Sequence, residues 1–86
     1  MDPNLHQKQG VHHMNRVLQY APMVAEDGHA TVHLTQEDWY VVADVLFKMN
    51  TPDEMLPDEI KEYDLANENR TIQLITDEYT IDVEMM

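Results

Sequence analysis

The side chains in this chain able to do chemistry are carboxylates and imidazoles. Seventeen Asp and Glu and five His stand among 86 residues, and neither cysteine nor serine occurs. The two usual nucleophiles are therefore missing. Glycine occurs only at positions 10 and 28, so there is no glycine-rich phosphate loop. A carboxylate beside a histidine could move protons. With acids this numerous such neighbours arise by chance, and a domain of this size has little room for a deep pocket. The expectation is a protein that is not an enzyme.

The histidines, His6, His12, His13, His29 and His33, invite a metal reading. Adjacent His12 and His13 point differently in any regular structure, and His29 and His33 flank a strand without being brought together. The plainer reading is solvent-exposed imidazole. The acids lack the D-x-[DN]-x-[DN]-G spacing of a calcium loop. No cofactor and no metal are expected. Asn69-Arg70-Thr71 matches a glycosylation sequon, which reads as accidental because no secretion signal precedes it.

What remains is charge. The formal net charge is −12, and it is unevenly spread. Residues 1–25 hold Asp2 against Lys8 and Arg16, whereas every other acid falls in 26–86, against Lys48, Lys61 and Arg70. Such a field repels nucleic acid and anionic lipid and attracts basic surfaces. It peaks where Asp53, Glu54, Asp58, Glu59, Glu62, Asp64 and Glu68 share one short segment with a single base, Lys61. The bland alternative is a solvated face that keeps a small protein soluble.

The elements that must position these groups can be read from pattern. Thr35-Gln36-Glu37-Asp38 has a capping threonine and acids in the first turn. Trp39, Val42, Leu46 and Met49 follow at helical spacing, and Val41, Val45 and Phe47 widen the stripe. This predicts a central amphipathic helix over about 35–50, either covered on two sides or keeping an apolar flank. Tyr40 and Phe47 are the candidates for such a flank, core packing being the simpler fate for both.

At the C-terminal end a two-residue turn at Asp77-Glu78 sets Leu74 opposite Ile81 and Ile72 opposite Val83, with Thr71, Gln73, Thr80, Asp82 and Glu84 on the other face. Asp-Glu is not a preferred pair for such a turn, which leaves a longer one open. A slip of one residue would put the apolar set in water. Asp82 and Glu84 would then stand about 6.8 Å apart at strand rise. A second hairpin is predicted around Asp27-Gly28, pairing Met23 with Val32 and Ala25 with Ala30. Upstream, Val11, Met14, Leu18 and Ala21 have helical spacing that Pro22 would end, although Val17–Tyr20 could instead extend a strand.

The repeated Pro52-Asp53-Glu54 and Pro57-Asp58-Glu59 read as two helix starts. The second continues as a short acidic helix over 57–66, because Leu56, Ile60 and Tyr63 form a stripe. The expected fold is thus α+β: two antiparallel hairpins packed on a central helix, in one domain spanning 11–86, after a flexible segment 1–10. No stretch approaches the roughly 18 apolar residues of a membrane span, and the first twenty residues lack a signal-like apolar run. A cytoplasmic protein with no membrane contact is expected.

In size and charge, and in no motif, the chain resembles the phage-encoded nucleic-acid mimics that block DNA-binding enzymes. The leading expectation is an inhibitor of a basic, nucleic-acid-handling protein that does not itself bind nucleic acid. It would present Asp53, Glu54, Asp58, Glu59, Glu62, Asp64, Glu68, Asp82 and Glu84 in place of phosphates. The alternatives are an immunity or antitoxin protein that occupies a basic toxin site, and a small homodimeric structural subunit.

Overall fold

The computed structural model describes residues 3–86. Helix α1 spans Pro3–Val24 and strand β1 His29–Leu34. Helix α2 spans Gln36–Ala43 and continues into a π turn, Asp44–Lys48. Strands β2 (Glu62–Ala66), β3 (Thr71–Ile75) and β4 (Thr80–Met85) follow. The sheet order is β1-β4-β3-β2, with β1 parallel to β4 and the other neighbours antiparallel. The expected α+β class holds.

The helices cover one face of this sheet. Ala30 and Val32 of β1, Ile72 and Leu74 of β3, and Ile81 and Val83 of β4 form one core with Met14, Val17 and Ala21 of α1 and Trp39, Val42, Val45 and Leu46 of α2 and its π turn. The register predicted for the C-terminal hairpin is the one observed, Ile72 opposite Val83 and Leu74 opposite Ile81. Its two-residue turn is held by Thr76, whose Oγ1 accepts from the amides of Glu78 and Tyr79. Those bonds let Asp-Glu serve where a two-residue hairpin loop usually takes glycine.

Helix α2 begins as predicted, with Thr35 Oγ1 accepting from the Asp38 amide at 3.2 Å. Its end differs. The Met49 amide reaches Asp44 O at 2.7 Å, an i to i+5 bond. The extra residue allows both Val45 and Leu46 to face the core.

Helix α1 is longer than its periodicity suggested. The buried positions are Gly10, Met14, Val17 and Ala21, with Val11 and Leu18 flanking them. Residues 3–10, expected as a loose segment, are its first turns, because they have partners: His6 lies 3.4 Å from Asp44, Gln7 donates to Thr51 Oγ1 at 3.1 Å, and Gly10 packs on Val45. Residues 1–2 of that segment lie outside the described residues. Pro22 does not end the helix at once, although it leaves the Leu18 carbonyl without the donor of residue 22.

Two expectations are overturned. The hairpin pairing Met23 with Val32 and Ala25 with Ala30 does not form. Asp27-Gly28 is a turn with positive φ at both residues, 53° and 76°, and Glu26 and His29 exchange two backbone bonds across it. It joins a helix to a strand, however, because burial of Ala21 keeps the preceding chain helical and β4 offers β1 a longer ladder.

The acidic helix over 57–66 is also absent. Asp53–Met55 is one turn of 3-10 helix, Pro57–Ile60 is a single turn closed by the Ile60 amide on Pro57 O, and residues 62–66 are strand. Each Pro-Asp-Glu therefore starts a turn that stops. Tyr63 and Leu65 alternate with Glu62 and Asp64, a period of two that suits a half-buried strand. A helix would also have stacked Asp58 beneath Glu62 at like charge.

Candidate functional site

The face of the sheet away from the helices is open, and its register sets out the side chains in rows. One row runs His33, Glu84, Thr71, Ala66; the next Thr31, Asp82, Gln73, Asp64; the third His29, Thr80, Ile75, Glu62. Glu62, Asp64, Asp82 and Glu84 thus share this face, with the two acids of β2 separated from those of β4 by two strand spacings, about 9.6 Å. The pairing predicted to put Asp82 and Glu84 on the face opposite the core is observed.

These four carboxylates are not equivalent. Asp82 is engaged from both sides, by His29 Nε2 at 2.9 Å and Gln73 Nε2 at 3.3 Å, and its side chain is only 18% exposed. Glu84 lies 3.6 Å from His33 Nε2. On β2, Asp64 Oδ1 accepts from the Leu65 amide at 2.8 Å, while Glu62 is in no ion pair among the described residues. The histidine side of this face had no sequence signal, because a parallel β1–β4 ladder joins residues fifty positions apart.

A second gathering lies at one end of the sheet. Asp58, Glu59, Asp77 and Glu78 border a cleft of about 430 Å³ whose apolar wall is Leu18, Pro22, Tyr79 and Ile81. The Asp27-Gly28 turn adjoins it: Gly28 O accepts from the Thr80 amide at 2.9 Å, and a Cβ on Gly28 would stand 3.9 Å from Glu78 O. Glu62 opens β2 at the same end, opposite Ile75 and Thr80. Among the described residues Lys61 is the one base on the cleft wall, and none of the four acids bordering the cleft is in an ion pair. Asp77 and Glu78 were read as turn residues only. What brings them to Asp58 and Glu59 is the strand at 62–66, which the helical reading of that segment concealed.

The structure does not unite the whole predicted set. Thr51 is tied to Gln7 near the start of α1, whereas Asp58 and Glu59 lie by Leu18 and Pro22 near its end. Gln7 and Leu18 are about 16 Å apart along a helix. Asp53 and Glu54, in the turn after Thr51, do not border the cleft, and Glu68 sits at the tip of the β2–β3 loop. Tyr40 and Phe47 are not one patch either. Tyr40 is 47% exposed and meets Trp39 edge-on, while Phe47 is half-buried against Tyr63 with ring centroids 5.5 Å apart. The π turn between them removes the shared face that a seven-residue spacing implies.

Four of the histidines contact one carboxylate each. His6–Asp44 and His13–Asp38 join α1 to α2, and His29–Asp82 and His33–Glu84 join β1 to β4. Among the described residues no three His, Cys, Asp or Glu side chains converge as a metal would require, and no helix is long and apolar enough to cross a membrane. The chain matches no family model, no curated protein and no solved structure.

Proposed function

We propose that this protein binds a basic, nucleic-acid-handling protein and inhibits it by occupying the surface that would hold phosphates. The observation that carries the reading is the group of carboxylates, Asp58, Glu59, Asp77 and Glu78, standing around an apolar cleft with no ion pair among the described residues. An arginine or lysine side chain has the matching chemistry. Its methylene stem packs on Leu18, Pro22 and Tyr79 while its charged head meets the rim. Glu62, Asp64 and Glu84 on the open sheet face extend the negative field and speed encounter with a basic surface. Nucleic acid and anionic membranes are repelled by the same field, and no catalytic step belongs to this reading.

The test is capture from lysate on the immobilised full chain, at low and at high salt, followed by nucleic-acid competition on whatever is retained. The reading expects a basic protein that is held at low salt, released at high salt and displaced from its nucleic acid. The variant carrying Asp58→Asn, Glu59→Gln, Asp77→Asn and Glu78→Gln should lose that capture while remaining folded. Retention that ignores both salt and these four substitutions would overturn it.

A further inference from the structure

We infer that a second copy of this chain docks along the free edge of β1, antiparallel, with its two-fold axis at Val32. The backbone gives the reason. Along β1 the Gly28 and Leu34 carbonyls accept from Thr80 and Met86 of β4, so residues of even number turn their peptide groups toward β4. Odd-numbered residues turn theirs outward, and His29 spends both its groups on Glu26 across the turn. Among the described residues nothing pairs the amide and carbonyl that Thr31 and His33 turn to the open edge, and beyond them Thr35 caps α2.

That vacancy is self-complementary. Pairing Val32 with Val32 of the second copy places Thr31 against His33 and His33 against Thr31, which satisfies all four open groups on each chain with four hydrogen bonds. The next pair outward would be His29 with Thr35. There the ladder stops on both sides, since the Thr35 carbonyl already accepts from Trp39.

The lining of this edge does not call for a basic partner, its carboxylate Asp38 being paired with His13. The groove between β1 and α1, about 670 Å³, is lined by Arg16, Tyr20, Met23, Val24 and Met86, with His13 paired to Asp38. Tyr20, Met23 and Met86 are 49%, 77% and 81% exposed. In a joined sheet the two α1 helices lie on the same side, and these apolar side chains flank the seam. The opposite edge is defended: Asp64 occupies the Leu65 amide on β2, and Glu62 and Asp64 border the strand. Long-range repulsion between two chains of −12 opposes the contact, so association here strengthens as salt screens it. This is the reverse of the salt response of an acidic site gripping a basic protein, which separates the two readings.

Size-exclusion chromatography with light scattering on the full chain tests the inference, from micromolar to millimolar protein and at low and high salt. The expected result is a mass rising from 10.1 kDa toward twice that value, at lower concentration in high salt. Thr31→Pro removes one outward amide without touching the ladder to β4. Thr31→Glu adds a charge of the repelling sign at an exposed position beside the seam. Either should hold the mass at that of one chain with an unchanged circular dichroism spectrum. Should Thr31→Pro disturb the fold, hydrogen exchange on the parent decides: the Thr31 and His33 amides should become protected as concentration rises. A single-chain mass at every concentration, a dimer that survives Thr31→Glu undiminished, or exchange at these amides indifferent to concentration would each overturn it.

Discussion

A Cβ placed on Gly10 of α1 would stand 2.4 Å from Val45 Cγ2 and 3.0 Å from Val45 Cβ, in the π turn after α2. The two helices run antiparallel, with His6 beside Asp44 and His13 beside Asp38 on either side of this crossing. Gly10 therefore works by absence of a side chain. Alanine there favours an isolated helix by about 1 kcal/mol, yet the contact must open to admit the methyl. We expect Gly10→Ala to destabilise the domain by about 1–3 kcal/mol net. Urea titration measures it, and Val45→Ala should cost less in the Gly10→Ala background than in the parent. Additive losses would place the strain elsewhere.

Trp39 anchors α2 to the central strand through its ring nitrogen, which donates to the Val83 carbonyl at 2.8 Å in a buried setting. Trp39→Phe keeps an aromatic ring but removes the donor and some volume. A loss of about 1–3 kcal/mol is expected from the carbonyl left short of a partner and the looser packing. A variant that unfolds at the parent's urea midpoint would show that this bond contributes nothing net.

The parts legible in the sequence were those governed by neighbours. Thr35 as a cap, the stripe through Trp39, Val42 and Leu46, and the facing of Ile72 and Leu74 by Val83 and Ile81 follow from local period and appear in the fold. Asp82 and Glu84 fell on the outer face for the same reason. What local pattern could not carry was the parallel ladder of β1 on β4, since nothing near Ala30 announces Ile81 as its partner. The Asp27-Gly28 turn was read correctly and its context was not, because a tight turn does not state which element precedes it. In 57–66, Leu56, Ile60 and Tyr63 fit a helical stripe, and the alternation that continues through Leu65 decided for strand. The strand brings Asp58 and Glu59 to the β3–β4 turn, at a cleft that Asp53 and Glu54 do not border.

The β2–β3 loop stores strain that can be removed. Asn67, Glu68 and Asn69 have φ of 51°, 59° and 68°, and of these glutamate is the least suited to the left-handed region. Glu68→Gly relieves that cost while adding freedom to the unfolded chain. A net gain of about 0.5–1 kcal/mol is expected by thermal denaturation. A loss would mean that the Glu68 side chain holds the loop by a contact worth more than its strain.

The acids should destabilise the fold that carries them. Among the described residues the only ion pair with a lysine or arginine is Lys48–Asp44, and Asp58, Glu59, Asp77 and Glu78 crowd one end with Lys61 alone for compensation. Raising salt from about 50 to about 500 mM shortens the screening distance from about 14 Å to about 4 Å, which weakens repulsion across that end. The parent should therefore melt higher in salt. Neutralising the four acids as amides should raise the melting temperature at low salt and flatten its salt dependence. A gain of about 1 kcal/mol would appear as about 4–8 °C in a domain of this size. Sodium chloride is the suitable salt, since sulfate stabilises proteins by exclusion from their surfaces whatever their charge. If the amide variant melts no higher than the parent and keeps the same salt slope, the cleft carboxylates do not repel one another appreciably. Their density would then offer no argument for a basic partner.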